Sequence, residues 1–170
     1  MDLALGILRH TPVWVFVLLA LLVLLGLQAT RPRVVPLRRA VIAPLVFVGW
    51  GLAGLLLKVQ AQPALLAVWL VGLGGGALFA HLIARDDLRT IDRARGVVTL
   101  PGSWRPLLRY LAIFAVRYAF AVAIALAAPA ERAMLVVWDI GVAGLISGTF
   151  LAGLVGLLMR WRRAPLPEAV

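Results

Sequence analysis

The chain has 170 residues, of which 64% are hydrophobic and 14% are charged, with a net charge of +10 and no cysteine. Soluble domains are about 45–50% apolar and about 25% charged, so a water-soluble fold of this size could not hide so much apolar surface. The lack of cysteine excludes disulfides, thiolate nucleophiles and cysteine-ligated metal centres.

Five apolar segments are each long enough to cross a bilayer as a helix. About 20 mostly apolar residues suffice, because the hydrocarbon layer is about 30 Å thick and a helix rises about 1.5 Å per residue. None of the segments alternates strictly between apolar and polar residues, which argues against a β-barrel. The sequence therefore predicts an all-α, polytopic transmembrane helix bundle with spans at about residues 11–29, 40–57, 64–84, 107–128 and 134–159.

The basic residues predict the orientation of this bundle. Most of the 17 lie in loop 30–39, in loop 85–106 and just after Met159, whereas the intervening connections carry one each. Cytoplasmic segments are enriched in Arg and Lys, so these three are expected inside and the N-terminus outside. We expect one membrane domain over residues 1–163, a disordered tail at 164–170, and a first segment that is an uncleaved anchor because several arginines follow it.

Loop 85–106 is the largest polar segment. The stretch Gly96–Gly102, GVVTLPG, predicts a short β-strand bounded by turn residues. Asp86, Asp87 and Asp92 alternate with arginines and compensate part of the positive charge. We expect the loop to lie on the membrane surface, where each arginine near anionic headgroups contributes about 1 kcal/mol.

Three motifs carry a resemblance to a known family. Leu8–Val15 reads LRHTPVWV, Leu100–Leu107 reads LPGSWRPL, and Gly144–Gly153 reads GLISGTFLAG. In this order, and over nearly the full length, the chain resembles a family of uncharacterised bacterial integral membrane proteins, a domain of unknown function. The resemblance implies a bacterial inner-membrane location, and it implies no catalytic residues.

Arg117 lies near the middle of the fourth predicted span, and Asp139 is the only acidic residue within a predicted span. A charged side chain at mid-membrane costs at least about 2.5–3.5 kcal/mol, so its position requires an explanation. We favour a direct or water-bridged charge pair that holds the fourth and fifth helices together. Tyr118 offers a hydroxyl near either partner. A polar substrate or proton path, or an Arg117 that reaches the interface without a function, are the alternatives.

Small residues recur every four positions along the fifth span. Such spacing places them on one helix face and lets another helix approach closely. The third span repeats the pattern at Gly72 and Gly76. We favour packing within the chain and keep a homodimer through the fifth helix as the alternative. The face consists of Gly144, Gly148, Ala152 and Gly156.

No cofactor or metal is expected. His10 precedes the first predicted span, and His81 lies near the inner end of the third. The two histidines are therefore expected on opposite faces of the membrane, so one site could not use both. Adjacent Asp86 and Asp87 are a weak cation signal, and no catalytic triad or dinucleotide motif occurs. Nucleic acid is not an expected partner, since the arginines follow the membrane topology.

The sequence therefore favours a small inner-membrane protein without enzymatic activity, acting as a structural or interaction component. Its cytoplasmic arginines would contact anionic lipid headgroups or a partner. One alternative is a transporter or channel subunit with a polar site at Arg117 and Asp139. Another is a membrane enzyme component that binds a cofactor.

Overall fold

The computed structural model describes residues 6, 11–59, 62–83, 90–93 and 95–164, without the side chains of residues 43, 50 and 57–59. The expectations for His10, for Asp86 and Asp87, and for the tail beyond residue 164 lie outside these residues. The described helices are α1 (Val13–Gln28), α2 (Leu37–Val59), α3 (Ala64–Ile83), α4 (Arg105–Leu126) and α5 (Pro129–Arg163). The described strands are β1 (Arg33–Pro36), β2 (Thr90–Asp92) and β3 (Val97–Leu100).

The five helices coincide with the five predicted segments, which confirms the predicted all-α class. Helices α2 to α5 are long and apolar enough to cross a membrane, whereas α1 has 16 residues. Helix α2 begins at Leu37, three residues earlier than predicted, and Pro44 lies inside it. Since proline has no N–H, the Ala40 carbonyl lacks its intrahelical hydrogen bond there.

The chain divides into two compact units, the first formed by Met1–Pro32 and Pro101–Arg132. In this unit α1 and α4 run antiparallel. Gly26, near the end of α1, lies against the main chain of Leu107 at the start of α4. The Ser103 N–H donates a 2.9 Å hydrogen bond to the Ala29 carbonyl and joins the same two ends. A side chain at position 26 would prevent this approach.

The second unit, Arg33–Leu100 and Ala133–Val170, contains a three-stranded antiparallel sheet in the order β1-β3-β2. The central strand β3 lies where a strand was predicted, but β1 and β2 were not predicted. Val35 and Ile91 both pair with Val98, which is fully buried. Alternation along strands puts these three residues on one inward face. The Leu37 N–H donates to the Gly96 carbonyl at 3.1 Å, so the sheet adjoins the start of α2.

Helices α2, α3 and α5 form the helical part of the second unit. Helix α2 runs antiparallel to α5, because Gly51 lies against Ser147 while Phe47 stacks on Phe150 at a ring distance of 4.4 Å. All three helices contribute to one apolar cluster. Its buried members are Leu55, Leu65, Trp69, Ile140 and Ala143.

Candidate functional site

Three basic segments that are distant in sequence converge at one end of the second unit. Strand β1 belongs to loop 30–39 and pairs with β3 of loop 85–106. From the turn between β2 and β3, Arg93 Nη1 lies 3.5 Å from the Arg162 carbonyl and 3.4 Å from the Ala164 carbonyl. The last turn of α5 therefore lies beside the sheet. We call the sheet, the first turn of α2 and the last turn of α5 the basic end.

The basic end is strongly positive. Its only described acid is Asp92, which accepts a 3.0 Å hydrogen bond from the Arg95 N–H and lies 3.9 Å from Arg95 Nε. Most of its arginine side chains are exposed and would attract anions such as phosphate groups. The described arginines are Arg33, Arg38, Arg39, Arg93, Arg95, Arg160, Arg162 and Arg163.

Arg33 differs from the other arginines of the basic end. The register pairs it with Leu100, and alternation places it on the inward face of the sheet together with Val35. Its Nε atom is buried and forms no hydrogen bond within the described part of the chain. Neither β1 nor the inward position of Arg33 was predicted from the sequence. The available signal was the pair Val34-Val35 between two prolines, which is a short apolar strand with breakers at both ends.

The predicted polar residues Arg117 and Tyr118 lie on α4 in the first unit. The Tyr118 hydroxyl lies 2.7 Å from the Thr11 hydroxyl, just before α1. The Phe114 ring stacks on the Tyr118 ring at 5.9 Å, and Arg117 is half-buried. Tyr118 thus connects the two helices of its unit.

Asp139 lies on α5 in the second unit and is 5% exposed. The pairing of Arg117 with Asp139 stays a prediction. In the same unit, the side-chain atoms Trp69 Nε1 and Ser147 Oγ are buried and have no hydrogen-bond partner among the residues described. No group of three potential metal ligands occurs within those residues.

The predicted small-residue face of α5 separates into two parts. Gly144 lies against the Trp69 carbonyl and Gly148 against the Leu73 carbonyl of α3. In return Gly72 and Gly76 of α3 lie against the main chain of α5, so the two parallel helices touch backbone to backbone. Such contact requires residues without a Cβ.

Further along α5, Ala152 is half-buried, and a Cβ at Gly156 would meet nothing within 4 Å. The contact with α3 therefore uses the first half of the predicted face. The homodimer through α5 stays a prediction.

The family of unknown function DUF6622 matches residues 2–167. The chain belongs to this family. The predicted membership of a family of uncharacterised function is thereby confirmed. No curated protein and no solved structure matches the chain. Membership of DUF6622 covers both compact units, and it assigns no activity to either.

Proposed function

We propose that this DUF6622 protein is a multi-pass component of the bacterial inner membrane, with its N-terminus outside and its basic end on the cytoplasmic leaflet. Its role would be structural or interactive rather than enzymatic. The observation that carries the proposal is the convergence of the three basic segments at one end of the second unit.

The strand pairing supports a common side for the two basic loops. Loops 30–39 and 85–106 are separated by α2 and α3, and two crossings return the chain to the side from which it started. The pairing of β1 with β3 requires this return. Because arginine-rich ends remain in the cytoplasm, the basic end is expected inside. There its arginines would meet the negative surface of the leaflet.

The contact between α3 and α5 supports a structural role. Backbone-to-backbone packing at Gly144 and Gly148 leaves little freedom for one helix to move along the other. Arginines on a rigid support can hold lipid headgroups or an acidic partner in a fixed arrangement.

A transporter or channel subunit is the second candidate. The observation that favours it is Asp139, which is 5% exposed within a helix apolar enough to span a membrane. Ionisable residues inside membranes often mark paths for protons or polar substrates.

Cysteine labelling of intact cells tests both candidates, since the natural chain has no cysteine. Gln62 and Arg95 are suitable positions because both are exposed. Gly102 is unsuitable, since a Cβ there would meet the Thr30 carbonyl. With a membrane-impermeant thiol reagent, Gln62→Cys is expected to react from outside, and Arg95→Cys is expected to react only after the membrane is opened.

The reverse pattern would overturn the proposed orientation. Asp139→Cys distinguishes the two candidates. Reaction of this variant from outside would favour a polar path, whereas protection in both intact and opened cells would favour the structural role. Expression levels of the three variants must be matched by immunoblot, so that a missing label is not a missing protein.

A further inference from the structure

Asp139 lies on the same face of α5 as the residues that contact α2. Ser147 and Phe150 make those contacts, the first at Gly51 and the second by ring stacking. Asp139 precedes Ser147 by eight residues and Phe150 by eleven, and such intervals keep residues on one helix face. Asp139 is 5% exposed, which agrees with a position on the buried side of α5.

The matching face of α2 runs in the opposite direction. Phe47 and Gly51 contact α5, and Leu55 belongs to the buried cluster that includes Ala143. Each step along α2 is therefore matched by a similar step back along α5. The next position on this face is 58, where the backbone of α2 carries the only lysine of the chain. The antiparallel register brings this position level with Asp139.

Each of the two helices thus supplies one ion, of opposite sign, at the same level. After the first turn of α2, Lys58 is its only charged residue, and Asp139 is the only one between the first and last turns of α5. A carboxylate enclosed in an apolar span is strongly unfavourable unless a cation is near. Lys58 and Asp139 also belong to the same compact unit, whereas Arg117, the partner predicted from the sequence, belongs to the first unit.

We propose that Lys58 and Asp139 form an ion pair that fixes the register of α2 on α5, at the end of these helices opposite the basic end. Apolar contacts between helices have little directionality, whereas a buried polar pair defines register. The inference deepens the structural role proposed above and rests on it in that both helices lie in the membrane. It also accounts for Asp139 without a polar path.

Exchange of the two charges tests the pair through thermal unfolding of the purified protein in detergent. Lys58→Glu and Asp139→Lys each place two like charges at one level, so each is expected to lower the unfolding temperature by about 5–10 °C. The double variant Lys58→Glu/Asp139→Lys restores the pair in reverse and should recover most of the loss. Lys58→Glu/Glu131→Lys is the matched control, because it has the same net charge but should remain as unstable as Lys58→Glu.

A second exchange distinguishes the two possible partners of Asp139. Recovery in Arg117→Glu/Asp139→Lys, without recovery in the exchange with Lys58, would assign the carboxylate to Arg117 and overturn the proposal. Wild-type stability of Lys58→Glu and Asp139→Lys would overturn it too, as would equal recovery in the control with Glu131.

Crosslinking in native membranes tests the register even if the charged variants do not fold. Lys58→Cys/Asp139→Cys removes both charges together and leaves no unpaired ion, and the natural chain has no other cysteine. A short thiol crosslinker is expected to join these two positions. It should leave Val46→Cys/Asp139→Cys unjoined, because position 46 lies about 18 Å from position 58 along α2. Equal crosslinking of both pairs, or of neither, would overturn the proposed register.

These measurements do not depend on orientation in the cell. Recovery by charge exchange together with inverted cysteine labelling would reject the proposed orientation and retain the ion pair. Expected labelling without recovery would retain the orientation and reject the pair.

Discussion

The hydroxyl oxygens of Thr11 and Tyr118 lie 2.7 Å apart, although 107 positions separate the two residues in the sequence. Tyr118 follows Arg105, the first residue of α4, by 13 positions, which corresponds to about 20 Å along the helix. The N-terminal end of α1 is thereby fixed beside the middle of α4. In the first unit this hydrogen bond complements the contact between Gly26 and Leu107 at the other end of α1.

Tyr118→Phe is expected to lower the free energy of unfolding by about 0.5–1.5 kcal/mol, because it removes this hydrogen bond. Thr11→Val should have a similar effect. In the double variant the two losses should not add, since both remove the same interaction. Thermal unfolding in detergent measures the coupling. Strictly additive losses would show that the two hydroxyl groups do not interact.

Gly148→Ala and Gly153→Ala are expected to change stability in opposite directions. A Cβ at position 148 would lie 2.8 Å from the Ala77 main-chain nitrogen, whereas one at position 153 would meet nothing within 4 Å. Overpacking should destabilise Gly148→Ala by about 1–3 kcal/mol. Gly153→Ala should instead be stabilised, by at most about 1 kcal/mol, through its higher helix propensity.

Both variants receive the same gain in helix propensity, so the difference in their unfolding temperatures isolates the contact with α3. Equal unfolding temperatures would argue against close packing of α3 on α5. Gly148 is therefore a poor position for testing a homodimer, because a substitution there would first disturb the fold of the second unit.

Ser147→Ala is expected to maintain or raise stability. The Ser147 side chain is 1% exposed, and its hydroxyl has no hydrogen-bond partner among the described residues. A buried hydroxyl without a partner costs about 1–3 kcal/mol, which alanine would recover. Thr149→Val is the matched control, since the Thr149 hydroxyl donates a 2.7 Å hydrogen bond to the Ile146 carbonyl.

Thr149→Val should therefore be destabilised by about 0.5–1.5 kcal/mol in the same unfolding assay. A clear loss of stability in Ser147→Ala would instead indicate that its hydroxyl makes a hydrogen bond, for example to an internal water molecule.

The sequence by itself determined the helical class and the approximate position of each helix. A long apolar segment satisfies its own backbone hydrogen bonds as a helix, so its state depends on local composition. The predicted third span, residues 64–84, and helix α3, Ala64–Ile83, agree for this reason. The arginine-rich segments were also apparent from the sequence, because the charge of an arginine side chain does not depend on the fold.

Only the tertiary structure decided which of these features meet. Strand β1 consists of four residues, too few for a reliable periodic signal, and its partner β3 lies more than 60 residues away. Likewise the repeat of small residues is uniform along α5, but Gly144 and Gly148 lie against the backbone of α3 whereas a Cβ at Gly156 would meet nothing within 4 Å. Such contacts depend on the arrangement of the helices, a long-range property that local patterns leave open. The inward position of Arg33 follows from the same pairing, since strand register sets which face each side chain occupies.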